Sequence, residues 1–163
     1  THRLEFYTPE EIEKIVTRSS RILNIGIDSA GAKVVAHSSR QTPRVANRIL
    51  KRVRDFAQIH ENDLITEILA REALELYEID PLGLEPTDRL MLETLIKKFK
   101  GGPAGIQSLA AVTGEELQTI EDVYEPYLIQ IGFLRRTPRG RVVTREGYAH
   151  LGIPYPEEND TLL

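Results

Sequence analysis

The chain has 163 residues, of which 40% are hydrophobic, so we expect a globular protein with one large domain or two small ones. Its net charge of −4 argues against a protein that coats nucleic acid through bulk charge, although 21 Lys and Arg side chains remain to be placed. Because it has no cysteine, no membrane-length apolar run and no signal-peptide pattern, we expect a cytoplasmic protein without disulfides or membrane contact.

The chain opens without an initiator methionine, and residues 1–7 read as an extended entry, so the sequence looks like the interior of a longer protein. Thr8, Pro9 and Glu11 then form a capping box, which predicts a first helix that ends near residues 24–26. Asp28 can cap a second helix that continues to about Ser39. The expected apolar side of the first helix holds Ile12, Ile15, Val16, Ile22 and Leu23.

The third predicted helix lies in the most basic stretch, residues 40–54, which has six basic residues and no acidic one. Thr42 can cap this helix, Pro43 suits its first turn, and it should run to about Gln58. Two faces then lie side by side, one basic and one apolar: Arg44, Arg48 and Arg52, and Val45, Ile49, Val53 and Phe56. The basic face is either a solvated surface or a phosphate sensor at the helix start, and this stretch alone does not choose between them.

A fourth helix should follow a polar turn at residues 60–63. Its apolar residues repeat at helical spacing: Ile65, Ile68, Leu69, Ala73 and Leu76. Residues 1–80 thus predict a four-helix unit. The segment 79–86 holds two prolines and a glycine and is the best linker candidate, so a second domain is expected over 81–155 and a flexible tail over 156–163.

The second half of the chain predicts a helix-turn-helix. Thr87 or Asp88 can cap a helix with Leu92, Leu95, Ile96 and Phe99 on one face, and the glycine-rich turn 101–105 ends it. A short helix and a turn at Gly114 come next. A longer helix begins near Glu115, with Pro126 expected to kink or split it. Its expected apolar side holds Leu117, Ile120, Tyr124, Tyr127, Leu128 and Ile131.

Two strand-like segments, 133–137 and 141–144, flank a turn and predict a β-hairpin, which in this position is the wing of a winged helix. Four arginines lie on it: Arg135, Arg136, Arg139 and Arg141. The longer helix before it is acidic and would repel phosphates, so we expect the wing to contact DNA without reading its sequence. If Arg136, Arg139 and Arg141 reach phosphates, they contribute a salt slope of about −2.7. The alternative is an edge strand that uses arginine to resist aggregation.

The residues that would carry catalysis on their own are missing from the sequence. The phosphate-binding pattern G-x-x-x-x-G-K-[ST] does not occur. The four histidines, His2, His37, His60 and His150, lack the spacing of metal ligands, so we expect no metal site. Adjacent acids such as Glu115 and Glu116 point apart on a helix and are ordinarily solvated. Taken alone, this chain should hydrolyse nothing.

Four separate stretches closely resemble the C-terminal part of the RuvB family, the bacterial Holliday-junction branch-migration motors. They are Arg3-Leu4-Glu5-Phe6-Tyr7, Thr42-Pro43-Arg44-Val45-Ala46-Asn47-Arg48 with Arg52-Val53-Arg54-Asp55, Glu125-Pro126-Tyr127-Leu128 and Arg136-Thr137-Pro138-Arg139-Gly140-Arg141. The resemblance implies a mainly α fold, with a four-helix AAA+ lid followed by a winged-helix domain. It also implies a role in recombination and repair as part of the SOS response.

Carried over to this sequence, the resemblance makes Arg44 the catalytic sensor-2 arginine, which reaches the terminal phosphate of ATP. Tyr7 and Pro43 would lie near the nucleotide, with Tyr7 against the adenine. The DNA-contacting residues would be those of the wing: Arg135, Arg136, Thr137, Pro138, Arg139, Gly140 and Arg141. One departure is that the family usually has glycine where Gln41 stands, so the entry to the third helix is expected to differ.

The resemblance also implies what the parent protein would add. The Walker A, Walker B and arginine-finger segments, and the surface that docks on the partner RuvA, would precede Thr1. The parent would bind ATP or ADP with Mg and encircle duplex DNA as a homo-hexamer, whereas this chain alone should bind no nucleotide tightly. Two alternatives remain: a stand-alone winged-helix regulator, which would prefer one DNA sequence, and the same two modules in an AAA+ replication initiator.

Overall fold

The computed structural model of the protein describes residues 7–156, and the fold is mainly helical. The predicted extended entry, apart from Tyr7, and the predicted tail, apart from Pro156, lie outside the described residues. Contacts within the chain divide it into two compact units, Thr1–Glu85 and Pro86–Leu163. The structure agrees with the predicted fold class, which is mainly α with a four-helix unit followed by a helical unit that carries a β-hairpin.

From residue 7 onward, the first unit contains four helices and two very short strands. The elements in chain order are α1 Pro9–Ile22, β1 Gly26–Ile27, α2 Ser29–His37, α3 Pro43–Ile59, β2 Leu64–Ile65 and α4 Glu67–Leu76. The predicted capping box of α1 is present, because Thr8 and Glu11 bond to each other's backbone N–H groups. The Asp28 carboxylate accepts from the Gly31 N–H and caps α2, as expected.

Strands β1 and β2 are parallel, with Gly26 opposite Leu64 and Ile27 opposite Ile65. They tie the start of α2 to the start of α4. The contact is close, since a Cβ on Gly31 would lie 2.6 Å from the Ile65 carbonyl oxygen. Ile65 was predicted to open the fourth helix, but it lies in β2, and a pair of two-residue strands is too short to show in a hydrophobic pattern.

One continuous core joins the faces that the four helices share. Its largest fully buried members are Ile12, Ile49, Leu50 and Ile65. Three residues predicted on buried faces are instead exposed: Ile22, Ile68 and Leu76. Ile22 and Leu76 are the last residues of their helices, where the chain turns away. Ile68 lies in the first turn of α4, whose buried side is formed by Leu69, Ala70, Ala73 and Leu74.

The backbone enters α3 through two left-handed residues. Arg40 has a φ of 55° and Gln41 a φ of 52°. Thr42 occupies the capping position, but its hydroxyl donates to the Arg40 carbonyl oxygen at 3.0 Å and caps no helical N–H, contrary to the sequence prediction. The first turn of α3 therefore has no side-chain cap. Left-handed φ values cost an L residue about 1 kcal/mol or more, so the sharp entry is strained.

Because Gln41 is left-handed, Gln41→Gly should have a free energy of unfolding about 0.5–1 kcal/mol above that of Gln41→Ala, which loses the same side chain. Chemical denaturation measures this difference. Arg40→Gly is a contrast, since Arg40 has the same backbone conformation but is buried and donates from Nε to the Gly83 carbonyl oxygen at 2.9 Å. That variant should be less stable than the wild type. Equal stability of Gln41→Gly and Gln41→Ala would show that the entry is unstrained.

The segment 79–85, which leads out of the first unit, is held against it. Asp80 Oδ1 accepts from the N–H groups of Leu82 and Leu84, which shapes a tight turn. The Ser38 hydroxyl donates to the Pro81 carbonyl oxygen at 3.3 Å, and the Leu84 side chain is fully buried. The linker candidate identified in the sequence is therefore an ordered, hydrogen-bonded segment.

The second unit is a helical bundle that carries a β-hairpin. Its elements are α5 Pro86–Phe99, α6 Ile106–Thr113, α7 Leu117–Thr119, a π-helical turn Ile120–Tyr124, α8 Glu125–Gln130, β3 Leu134–Thr137, β4 Gly140–Val143 and α9 Arg145–His150. Helix α5 begins at Pro86, so neither Thr87 nor Asp88 caps it, and Asp88 is buried in the first turn. The predicted turn at Gly114 is present, and its left-handed glycine ends α6.

The predicted interruption at Pro126 takes the form of the π turn that joins α7 to α8. Proline has no N–H for the helical bond, and its ring would press on the Asp122 carbonyl one turn earlier. A wider turn just before it relieves that contact. Ile120 and Glu125, five residues apart, are both buried, which is the spacing of a π turn and not of an α-helix.

Candidate functional site

The start of α3 presents an exposed arginine. Arg44 is the second residue of the helix, and it forms no ion pair or hydrogen bond with the residues between 7 and 156. Because no side chain caps this turn, its backbone N–H groups and the positive end of the helix dipole also face outward. Charge, free donors and exposure together suit an anion at this end of α3.

The other two arginines of the same face bind within the protein. Arg48 Nη2 lies 2.6 Å from Glu85 Oε1, and Arg52 Nη1 lies 3.7 Å from the same oxygen. The Arg52 guanidinium also lies 5.5 Å from the centroid of the Tyr77 ring. Within the described residues, the basic face therefore consists of two ion-paired arginines and one without an ion pair. Arg48 and Arg52 fasten the segment before Pro86, and Arg44 remains available.

The two further residues expected near a nucleotide are on the surface of the same unit. Pro43 is the first residue of α3 and is half-buried. Tyr7 is 46% exposed, and its side chain forms no hydrogen bond or ring contact with α3 in the described part of the chain. Pro43 directly precedes Arg44 in α3, whereas Tyr7 forms no hydrogen bond or ring contact with either residue in the described part of the chain.

The predicted wing is present as a tight antiparallel hairpin. Four residue pairs hold it in register, among them Arg136 opposite Arg141 and Thr137 opposite Gly140, so that Pro138 and Arg139 form the tip. The Thr137 hydroxyl donates to the Gly140 carbonyl oxygen at 2.9 Å and closes the turn. Ala104 pairs with the outer edge of β4 through two backbone bonds to Arg141, of 3.0 and 2.8 Å.

A fully buried carboxylate, that of Glu125, lies under this hairpin. Its Oε1 accepts from Arg136 Nε and from Arg141 Nε at 3.1 Å, and its Oε2 accepts from Arg141 Nη2 at 3.1 Å. Burial acts to raise the pKa of Glu125, but the hydrogen bonds from the two arginines outweigh it and hold that pKa below its ordinary value. Glu125 is therefore ionised at neutral pH.

The four wing arginines thus differ in their surroundings. The Arg141 side chain is only 14% exposed and also lies 3.4 Å from Glu121, whereas Arg136 pairs with Glu125 from a more open position. Arg135 and Arg139 are exposed and form no ion pair with any described residue. The free positive charge of the wing therefore sits at its tip and on the outer side of β3.

Two interacting acids were not predicted from the sequence: Glu125 was counted only among the acids of a helix that would repel phosphates, and Glu85 was given no role. The signal for Glu125 was available in part: it directly precedes the proline that forces a π turn, and two arginines follow on facing strands. For Glu85 there was no local signal, because its partners lie more than thirty residues earlier in the chain.

The helical segment from α7 to α8 presents an acidic surface. Glu116, Glu121 and Asp122 are exposed along it, and it carries no lysine or arginine. In a helix-turn-helix this segment would be the one to enter the major groove, where its charge would be repelled by phosphates. Within residues 7–156, no helix has the length and apolar character to cross a membrane, and no cluster of side chains could hold a metal ion.

Comparisons with known proteins agree over both halves of the chain. The family model described as the RuvB AAA lid domain matches residues 7–80, and that of the RuvB C-terminal winged helix domain matches residues 81–152. A Holliday junction branch migration complex subunit RuvB from Crocosphaera subtropica is 56% identical over 92% of this chain, and one from Chloroflexus aggregans is 54% identical over 97%.

Solved structures show the same likeness. The Thermotoga maritima RuvB Holliday junction branch migration motor is 44% identical and superposes with a TM-score of 0.90, covering 94% of this chain and 51% of that one. The chain spans 42% and 45% of the length of the two curated relatives named above. The chain belongs to the RuvB family and corresponds to its lid and winged-helix domains.

Proposed function

We propose that this chain forms the nucleotide-sensing lid and the DNA grip of an ATP-driven motor that moves Holliday junctions during recombination and repair. The lid comprises residues 1–80 and the winged helix residues 81–155. The observation that carries the proposal is the separation of free positive charge into two places. Arg44 lies at the start of α3, and Arg135 and Arg139 lie on the wing.

In this proposal, Arg44 senses the nucleotide by binding its terminal phosphate. The residues present fit a phosphate, since an exposed guanidinium and an uncapped helix start lie together and Arg44 is not neutralised by a neighbouring acid among the described residues. ATP with Mg supplies the phosphoryl group whose loss drives the motor. Pro43 shapes the turn that presents Arg44, and Tyr7 provides an aromatic surface for the base. Arg48 and Arg52, bound to Glu85, keep α3 and the segment 79–85 together as one body.

The wing holds duplex DNA by its phosphates. Arg139 stands at a two-residue tip beside Pro138, with Arg135 on the same hairpin, and Thr137 and Gly140 fix the shape of the turn. The acidic surface of the segment 117–130 disfavours insertion of that helix into a groove, which removes the usual means of base recognition. Binding should therefore depend on charge and shape and not on sequence.

The remaining parts of the motor belong to other segments of the parent protein in this proposal. The parent hydrolyses ATP, assembles as a homo-hexamer in the cytoplasm and receives the junction from RuvA. This chain supplies neither the Walker motifs nor the arginine finger, so it is inactive as an ATPase when isolated.

The duplex-binding role predicts the effect of removing the two free wing arginines. Arg135→Ala with Arg139→Ala should weaken binding to all duplex sequences alike and reduce the salt slope by about 1.8, from two lost phosphate contacts. At 0.1 M salt this corresponds to roughly 60-fold weaker binding. Fluorescence anisotropy on two unrelated duplexes, over a range of salt concentrations, measures both quantities.

Lys33→Ala with Lys51→Ala is the matched control, because it removes the same two charges from exposed helical positions in the other unit. It should leave the salt slope nearly unchanged. Loss of binding to one of the two duplexes alone would support a sequence-specific regulator instead. An equal loss in the control pair would show that net charge, and not the wing, governs binding.

A further inference from the structure

Glu125 is an unusual residue for a DNA-binding surface. A fully buried carboxylate is costly unless it is paired, and this one lies directly under a hairpin whose proposed partner is a polyanion. Its oxygens are bound by both arginines of a facing cross-strand pair, Arg136 on β3 and Arg141 on β4. One side chain thus links both strands of the wing to the helix beneath.

The two arginines need such a partner. Like charges that face each other across an antiparallel pair destabilise the hairpin. Glu125 converts that repulsion into two charge-assisted bonds, and Arg141 makes two of its contacts to opposite oxygens, which fixes its direction. The hairpin is therefore held at a set angle to α8.

The π turn places Glu125 where it can do this. In an uninterrupted α-helix, each residue advances by about 100°, so a residue five positions after Ile120 would point away from the buried side. Because the turn 120–124 is wide, Glu125 follows Ile120 into the interior. The π turn is therefore what allows Glu125 to contact the wing.

We infer that Glu125 is a positioning residue for the DNA grip, which ties both strands of the wing to the start of α8 so that Arg139 and Arg135 are presented to the duplex. This inference rests on the proposed function of the wing. Arg136 and Arg141 act mainly as the ties, and the tip carries the phosphate contacts.

Two hypotheses about Glu125, that only its charge matters or that it positions the wing, predict opposite changes in duplex affinity for Glu125→Gln. Removing a negative charge beneath the wing should strengthen DNA binding if charge alone matters, since Arg136 and Arg141 would become free for phosphates. If Glu125 positions the wing, the same change should weaken binding, because the hairpin loses its fixed angle. The sign of the effect therefore decides between them.

The experiment measures duplex affinity of this chain by fluorescence anisotropy, together with amide hydrogen exchange of the β3–β4 ladder. Glu125→Gln should bind roughly tenfold more weakly, the loss expected when an arginine–phosphate contact is put out of place, and its ladder amides should exchange faster. Glu125→Asp keeps the charge but shortens the side chain, so it should fall between wild type and Glu125→Gln. Glu116→Gln is the matched control, because it removes one exposed carboxylate from the start of the same helical segment and Glu116 forms no ion pair with the described residues.

Unchanged or tighter duplex binding by Glu125→Gln would overturn the inference. If Glu125→Gln fails to fold, Glu125→Asp decides, since charge alone predicts no change in its affinity and positioning predicts a loss. Should Arg135→Ala with Arg139→Ala leave duplex binding intact, the proposed function of the wing fails. The hydrogen-exchange measurement tests the positioning role without DNA: if the β3–β4 amides of Glu125→Gln exchange at wild-type rates, Glu125 does not hold the hairpin.

Discussion

Arg44→Ala in a full-length RuvB motor that carries this chain should lower ATP turnover at least about 100-fold, while duplex binding stays at the wild-type level. The reason is local: the substitution removes the exposed guanidinium at the uncapped start of α3, where the proposed terminal phosphate gains charge during hydrolysis. Loss of one such donor costs on the order of 100- to 1000-fold in rate. Steady-state turnover with and without duplex DNA measures the effect.

Lys51→Ala is a suitable control, because Lys51 is an exposed cation on the same helix and forms no ion pair within the described ranges. It should hydrolyse ATP at the wild-type rate. Arg44→Lys retains a charge but loses the planar pair of donors, so an intermediate rate is expected. Normal turnover in Arg44→Ala would refute the sensor role and leave Arg44 as a solvated residue at the start of α3.

Gly140→Ala should destabilise the second unit by about 3 kcal/mol and remove duplex binding with it. Gly140 has a φ of 137°, a conformation that L residues rarely adopt. A Cβ there would also clash with the backbone of Ala104, whose bonds to Arg141 hold the outer edge of the hairpin. Strain and a backbone clash each cost 1–3 kcal/mol as rough magnitudes. Thermal unfolding and anisotropy with duplex DNA test the two effects.

Gly105→Ala provides the comparison for that loss. Gly105 has an ordinary φ of −68°, and a Cβ there would meet open space. The same chemical change should therefore cost only about 0.5–1 kcal/mol, because alanine is less favourable than glycine at the N-cap of α6, and it should leave DNA binding intact. If Gly140→Ala costs no more than this, the hairpin must accept a different turn from the one seen here.

Much of the fold could be predicted from the sequence because its signals are local. The capping box at Thr8 and the Asp28 cap mark helix starts by adjacent residues, and the wing follows from two strand-like runs around a proline and a glycine. Helix ends were less predictable. Ile22 and Leu76 follow the apolar period, yet each lies at the point where its helix stops and the surface begins. The apolar period shows which face of a helix is buried, but it does not show at which residue that burial ends.

The candidate sites were less predictable than the fold. Arg44 and the wing arginines stand out by spacing and by clustering, whereas their partners do not. Glu125 becomes buried only because a π turn rotates it inward, and Glu85 meets Arg48 only through the folded path of the segment 79–85. Which cation is neutralised by which acid depends on contacts between residues distant in sequence. For that reason, the sequence could not separate the free arginines from the tied ones.

The ordered segment 79–85 has a consequence for how this protein can be altered. Connections between domains commonly accept extra residues, and protein engineers use them for tags and circular permutation. Here the Asp80 carboxylate accepts from the Leu84 N–H, Arg40 donates to the Gly83 carbonyl oxygen, and Arg48 of α3 pairs with Glu85. Lengthening this connection by a single residue would break several bonds at once. The number of residues in this segment is therefore fixed by the hydrogen bonds and ion pairs that it forms.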